Sequence, residues 1–214
     1  NENWTWSTME QIVDQITKDK NGDGVIDQFG TYNYTWKEAV YSNGAELFDK
    51  DGKKAFFSGT KVNEAVKFVK KLNEMNGGRE VTQNDFDSGN VAFMPLAFSE
   101  YRTYKTYPYK IKKYTSFQWD CTSMPAGPGG HNTSEVDALL MTIGNKSKHK
   151  ELAWAFLKML TSDSSIQREI FEYSQGASVL KYVTGSRYAE SMIRKDMRSN
   201  CQIAWRLNLI ISFR

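Results

Sequence analysis

The sequence is organised around the stretch DKNGDGVIDQFG, which runs from Asp19 to Gly30. Oxygen-bearing side chains occupy its first, third, fifth and ninth positions, and a glycine occupies the sixth, where a calcium-binding loop must turn sharply. Because alternate residues of a tight loop point inward, these side chains can converge on one hard cation, and a main-chain carbonyl can add another oxygen. The predicted calcium ligands are Asp19, Asn21, Asp23, the carbonyl of Val25, and Asp27.

The end of this loop departs from an ordinary helix-loop-helix calcium site. Gly30 stands at the twelfth position, where such sites carry a bidentate glutamate, and we expect Gln28 to replace that ligand. The following residues, 29–34, are aromatic and predict a strand or loop rather than a second helix. A metal-free polar turn is the alternative, since Asn-Gly and Asp-Gly are common turn dipeptides. We favour calcium, in a structural role, because four oxygen positions and the glycine rarely coincide by chance.

Composition is that of a soluble globular protein. The 214 residues, of which 40% are hydrophobic and 25% charged, suffice for one large domain or two modest ones. The net charge is +3, but residues 187–214 hold a surplus of four positive charges, which leaves residues 1–186 at −1. This distribution argues against nucleic-acid binding, which needs a clustered positive face. The candidate basic patch, Lys105–Tyr114, is better explained as a solvated surface.

Cysteine content and hydropathy add little about compartment. The two cysteines, Cys121 and Cys201, make neither a disulfide framework nor a metal cluster, and they either pair or stay as thiols. No apolar run is long enough to span a bilayer. The first residues do not have the pattern of a signal peptide, so we expect the chain to begin as a mature or trimmed product.

Periodicity and turn residues predict a series of helices and short strands. Helices are predicted within 4–18, where Ser7 and Glu10 form a capping box, and over 60–75, 147–161, 163–174 and about 188–198. Strands are predicted on both sides of the Asp51-Gly52 turn and over 91–94, 117–124 and 138–143. The apolar tail, 203–213, is expected to be buried.

The order of these features resembles the extracellular solute-binding proteins of bacterial ABC importers, especially the carbohydrate-binding group. The resemblance covers roughly Trp4 to Val183 and lies in the following stretches: Trp4-Thr5-Trp6, the Asp/Asn/Gly loop ending in Phe29-Gly30, Ser42-Asn43-Gly44, Leu47-Phe48-Asp49, Phe86 to Met94, Met124 to Gly130, and Ser147 to Leu157. Its start matches the middle of such a protein, so a large N-terminal part is expected to be absent.

The resemblance implies an α/β fold of the periplasmic-binding-protein-like type II, of which this chain holds mainly one lobe plus part of the hinge. We predict a solute-binding lobe with hinge and partner-lobe segments over 1–186, and a C-terminal helix and apolar tail over 187–214. The implied partners are an oligosaccharide and the membrane permease of an ABC transporter. The implied location is extracellular, either periplasmic or on the cell surface as a lipoprotein anchored through the absent N-terminus. Some similar alginate-type binders hold calcium in such a loop, with an acidic or amide side chain at the position of Gln28.

The ligand-binding residues are predicted from the chemistry of sugar recognition. Aromatic faces stack on sugar rings, while carboxylates, amides and guanidinium groups bind hydroxyls, and a cleft between lobes excludes water. One group of candidates follows a predicted strand, the position where ligands of open α/β sheets usually bind. The predicted set is Tyr32, Trp36, Phe98, Glu100, Tyr101, Arg102, Trp119 and Asp120.

Two other functions compete with this interpretation. A glycoside hydrolase would use Glu100 and Asp120 as its carboxylate pair, although carboxylates near aromatic residues serve sugar binding equally well. No zinc-helix motif or nucleophile elbow is present, and His131 and His149 stand in polar contexts, so we predict a protein that is not an enzyme. A calcium-regulated interaction module is the second alternative, and the absent twelfth-position acid argues against it.

Overall fold

The helices and strands follow the apolar periodicity of the sequence. The structure is a computed structural model that describes residues 4–95, 122–133, 139–173, 177–189 and 191. In chain order its elements are α1 (Trp6–Ile16), β1 (Phe29–Thr31), α2 (Trp36–Ser42), α3 (Thr60–Met75), α4 (Gln83–Asp87), β2 (Val91–Phe93), α5 (Lys150–Ser162), α6 (Ser164–Tyr173) and α7 (Lys181–Thr184). Within these described ranges, no helix is both long and apolar enough to cross a membrane.

The two strands pair in parallel. Phe29 lies opposite Val91, and Thr31 lies opposite Phe93. A parallel pair needs a long crossover between its strands, and here the crossover contains α2, α3 and α4. The carboxyl ends of β1 and β2 therefore lie at the same edge of the sheet.

The main core forms where α1 and α3 cover β1 and where α2 packs on α3. The Trp6 ring stacks on Phe68, with 4.2 Å between ring centroids, and Tyr34 meets Phe68 edge to face at 5.7 Å. Val13 of α1 and Leu72 of α3 are fully buried in the same cluster. Burying a large apolar side chain contributes about 1.5–3 kcal/mol, so this aromatic and aliphatic cluster dominates the stability of the region.

The predicted capping box of Ser7 and Glu10 is wrong, because α1 begins earlier, at Trp6. The cap is Thr5, whose hydroxyl oxygen accepts a hydrogen bond from the Thr8 amide at 3.3 Å. Thr5 is held extended because its strand-like backbone pairs with Ala126, so the helix starts immediately after it. Glu10 instead forms an ion pair with Lys71 of α3 at 2.7 Å.

A glycine-rich loop docks on the C-terminal end of α2 through the buried side chain of Asn43. The Asn43 Oδ1 atom accepts a hydrogen bond from the Gly129 amide at 2.9 Å, and its Nδ2 atom donates to the Lys61 carbonyl and to Glu64, both at 2.9 Å. A Cβ atom on Gly130 would lie 2.1 Å from the Ser42 carbonyl oxygen, so only glycine permits this approach. One amide thus joins α2, α3 and the loop 127–130.

Helices α5, α6 and α7 pack in sequence and confirm the two helices predicted over 147–174. Phe171 and Val183 are buried between α6 and α7, and the buried Gln167 accepts a hydrogen bond from the Ser178 hydroxyl at 2.6 Å. The apolar face of α5, by contrast, is largely exposed, with Leu152 71% exposed and Phe156 54% exposed.

Other predictions have mixed outcomes. The helix predicted over 60–75 and the strand predicted over 91–94 are confirmed. Phe48 pairs with Ala55 across the predicted Asp51-Gly52 turn. The strand predicted over 138–143 is not found, since the described residues 139–143 have no regular secondary structure. The strand at 117–124 lies mostly outside the described residues, as do both cysteines, the basic stretch 105–114, most of the helix 188–198 and the tail. The division at residue 186 stays a prediction.

Replacing Asn43 by alanine is expected to destabilise the protein by about 1–3 kcal/mol, because buried donors and acceptors lose their partners. Denaturant unfolding of the full-length protein measures this change. Asn63→Ala is the matched control, since the Asn63 side chain is exposed and donates to the nearby Ser58 carbonyl. Equal stability losses in the two variants would show that Asn43 does not hold the three segments together.

Candidate functional site

The predicted calcium loop is shaped by Asp19, which follows the short segment after α1. The Asp19 Oδ1 atom accepts hydrogen bonds from the amides of Asn21 and Gly22, at 3.1 and 2.7 Å, and Oδ2 accepts from the Gly24 amide at 2.7 Å. The amide of Gly24, followed by that of Gly22, lowers the pKa of the Asp19 carboxyl from its ordinary value, because each donor favours the ionised form. The loop therefore closes around one carboxylate.

The remaining loop carboxylates are also engaged by amides of the loop. The Val25 amide donates to Asp23 at 2.8 Å, and the Lys20 amide donates to Asp27 at 2.8 Å. The Asn21 side chain links to Asp23 by donating from Nδ2 and by accepting from the Asp23 amide. Gly22 and Gly24 have φ of 81° and 86°, the left-handed region that glycine adopts without strain.

The glycine at the twelfth position has a packing reason. Gly30 lies in β1 against α1, and a Cβ atom there would come within 2.4 Å of the Val13 side chain. A glutamate at this position would displace the helix from the strand. The expected substitute, Gln28, donates from its Nε2 atom to the Ile16 carbonyl at 2.9 Å, and its backbone pairs with Lys18. Gln28 thus ties the end of the loop to the end of α1.

The arrangement of the loop bears on its capacity for a metal ion. Across the described ranges, no group of three or more His, Cys, Asp or Glu side chains is gathered closely enough to hold a metal as it stands. The loop nevertheless places carboxylate and amide oxygens on one exposed turn, which is the donor type that calcium prefers. The amide hydrogen bonds use only part of the acceptor capacity of Asp19, Asp23 and Asp27, since each ionised carboxylate has about four lone-pair sites.

The second candidate region lies just past the carboxyl end of β1. The Tyr32 amide donates to the Phe93 carbonyl at 3.0 Å, so Tyr32 stands at the shared edge of the two strands and is half-buried. Asn33 follows with φ of 54°, which is uncommon outside glycine and presents an exposed side-chain amide at the same edge. Sequence reasoning missed Asn33, although Asn is one of the residues that tolerate this conformation.

Trp36 is the first residue of α2, after a capping box in which the Glu38 carboxylate accepts from the Thr35 amide at 3.1 Å. Its ring is 42% exposed and meets the edge of Phe57, with 6.5 Å between ring centroids. Tyr34, between the two predicted ligand residues, faces the core instead, and burial raises the pKa of its hydroxyl. Of the three aromatic residues in this segment, Tyr32 and Trp36 therefore remain available to a ligand, and Tyr34 does not.

The other predicted ligand residues lie outside the described part of the chain. They are Phe98, Glu100, Tyr101, Arg102, Trp119 and Asp120. The strand that leads to the first of them, β2, does end beside Thr31 at the edge that carries Tyr32. Their placement stays a prediction.

Comparison with known families decides the wider identity. The family model described as bacterial extracellular solute-binding protein matches residues 2–166, which is more than half of the chain. The chain belongs to this family. The resemblance seen in the sequence is thereby confirmed.

A solved structure agrees with the family. An ABC substrate-binding protein from Listeria monocytogenes, solved in complex with cycloalternan, matches with a TM-score of 0.55 and 14% sequence identity. The match covers 88% of this chain and 49% of that one, so the chain spans about half the length of the matched protein. The predicted periplasmic-binding-protein-like fold is confirmed, with this chain forming part of it. No curated protein matches the sequence.

Membership in the solute-binding family also separates the competing interpretations. The family and the matched structure are binding proteins of transporters, not enzymes, as the sequence predicted. The candidate site of this solute-binding protein combines a carboxylate-rich loop beside α1 with aromatic and amide side chains at the end of β1.

The lowered pKa of Asp19 predicts how the loop responds to acid. A carboxyl whose pKa is below its ordinary value of 3.8 stabilises the folded state above that value, and the contribution disappears as pH falls through the lower folded pKa. In the presence of chelator, Asp19→Asn should lower the melting temperature at pH 7, and the difference from wild type should shrink below about pH 4.

Melting curves recorded from pH 7 to pH 2.5 measure this difference. Asp14→Asn, on the exposed face of α1, is the control. A difference between Asp19→Asn and wild type that stays constant over the whole pH range would contradict the assigned role of the carboxylate.

Proposed function

We propose that the full-length protein is the extracytoplasmic solute-binding component of an ABC importer and that it captures an oligosaccharide in a cleft between two lobes. The observation that carries this proposal is the family match over residues 2–166. Proteins that bind a ligand in such a cleft close around it by hinge motion, and the closed form delivers the ligand to the transporter. The partner of the closed form is then the membrane permease of the transporter.

The carbohydrate class is supported by the chemistry of the described edge. Tyr32 and Trp36 supply aromatic surface, and Asn33 supplies an exposed amide that can both donate to and accept from hydroxyl groups. The predicted residues beyond the described structure add two carboxylates, a guanidinium group and further rings. The structural match, at 14% identity, concerns the fold, and the protein it involves was solved with an oligosaccharide.

The proposal extends to location. A solute-binding protein of this family works outside the cytoplasmic membrane, so we place the protein in the periplasm or on the cell surface. A lipid anchor on a preceding N-terminal segment would hold it near the permease, as the resemblance implies.

We also propose that the loop after α1 binds a structural calcium ion. Asp19, Asn21, Asp23 and Asp27 would supply side-chain oxygens, the Val25 carbonyl a main-chain oxygen, and Gln28 the closing position. The ion would supply positive charge that offsets the mutual repulsion of three carboxylates. The support is the donor type, the two left-handed glycines that form the turn, and the attachment of Gln28 to α1.

Calcium should raise the melting temperature of the full-length protein relative to chelator. A ligand at 100 times its Kd stabilises the folded state by about 2.7 kcal/mol if it binds only that state. Asp23→Ala should remove most of this gain, because it deletes a central oxygen ligand. Asp51→Ala is the matched control, since Asp51 also precedes a glycine in an exposed turn outside the loop. Identical melting curves in calcium and in chelator would refute the metal assignment.

The carbohydrate proposal is tested by screening a panel of oligosaccharides against the full-length protein by thermal shift, followed by calorimetric titration of the hits. We expect saturable binding of at least one sugar, with the sugar recovered unchanged after incubation. Binding of peptides or polyamines, without binding of any sugar, would overturn the substrate class. Release of shorter sugars would restore the hydrolase interpretation.

A further inference from the structure

Three exposed aromatic rings form a continuous surface that the family assignment does not explain. We call Trp36, Phe48 and Phe57 the aromatic trio. Their side chains are 42%, 51% and 51% exposed. Phe57 stands between the other two, with ring centroids 6.5 Å from Trp36 and 5.5 Å from Phe48. Edge-to-face contacts of this kind favour defined ring orientations.

The backbone fixes the trio from two directions. Trp36 is held at the start of α2 by the Thr35 and Glu38 capping box. The hairpin that carries the phenylalanines is held by the pairing of Phe48 with Ala55 and by the Phe56 amide, which donates to the Leu47 carbonyl at 2.8 Å. The rings are therefore organised before any ligand arrives, which lowers the entropic cost of binding.

The surroundings of the trio suit a sugar better than a second apolar surface. The hairpin turn carries an exposed ion pair between Lys53 and Asp51 at 3.5 Å, and the neighbouring Lys50 and Lys54 are also exposed. Charged groups beside aromatic faces can bind hydroxyls while the rings pack against the C–H faces of a sugar. One member of the trio, Trp36, also belongs to the predicted ligand set.

The orientation of the rings indicates the shape of the ligand. The ring planes of Trp36 and Phe57 are inclined by 64°, and those of Phe48 and Phe57 by 90°. A flat oligosaccharide chain stacks on several rings only if the rings are close to coplanar. Successive rings that face different directions instead match sugar units whose faces turn along the chain.

We propose that the aromatic trio is an accessory carbohydrate surface that binds the outer units of a curved oligosaccharide, beyond the units held at the end of β1. This inference rests on the proposed capture of an oligosaccharide. Phe48 and Phe57 are thereby added to the ligand contacts. The aromatic trio would then favour long, curved oligosaccharides over short or flat ones.

The experiment titrates the full-length protein with maltose, maltopentaose, cellobiose and cellopentaose, which differ in length and in chain curvature. We expect wild type to bind maltopentaose more tightly than maltose and more tightly than cellopentaose. Phe48→Ala and Phe57→Ala should each weaken maltopentaose binding by about 3- to 10-fold while leaving maltose binding unchanged, because one aromatic contact is lost.

Phe56→Ala is the matched control, because Phe56 lies in the same hairpin and is 44% exposed but has no ring contact with the trio. Equal losses in Phe56→Ala and Phe57→Ala would assign the effect to the hairpin and overturn the inference. Unchanged binding in both trio variants, or equal losses for maltose and maltopentaose, would also overturn it. If wild type binds neither maltose- nor cellobiose-type sugars but does bind another sugar of the oligosaccharide panel, only this inference is overturned. If it binds no sugar at all, the proposed capture of an oligosaccharide is overturned as well.

Discussion

The relative placement of three chain segments depends on one buried amide, that of Asn43. Its three hydrogen bonds join the end of α2, the start of α3 and the loop 127–130, which are far apart in sequence. The glycines of the loop make this possible, since a Cβ atom on Gly127 would come within 2.5 Å of Asn43 Oδ1. Lys61 closes the same junction by donating from Nζ to the Gly44 and Gly129 carbonyls. Buried polar groups satisfied in this way specify one arrangement of the chain rather than several.

This junction determines where the ligand edge can be. Helix α2 is short, and its two ends are fixed by different interactions, the capping box at Thr35 and the amide of Asn43. The segment from Tyr32 to Trp36 is therefore held between β1 and a helix that cannot shift along α3. A rigid support of this kind positions ligand side chains more accurately than a free loop does.

The sequence predicted what local periodicity and turn chemistry determine. Helix α3 was predicted with its observed limits, because its apolar spacing is regular and Gly77 and Gly78 stop it in the left-handed region. Interactions between distant segments were not predictable. The cap at Thr5 depends on pairing with Ala126, and the contact of Trp36 with Phe57 joins a helix to a hairpin. The exposed face of α5 shows the same limit, since an amphipathic pattern predicts an apolar face and not what covers it.

The packing of Gly30 connects the loop chemistry to the role of a calcium ion. Because Val13 occupies the space that a side chain at position 30 would need, the loop cannot close on a twelfth-position glutamate as a sensor loop does. Its end is instead fixed to α1 through Gln28 and to β1 through the backbone. Sensor loops act by moving one helix relative to another, and here the loop leads from a helix into a strand that is already paired. An ion bound between α1 and β1 would therefore stabilise the edge that carries Tyr32 without switching it.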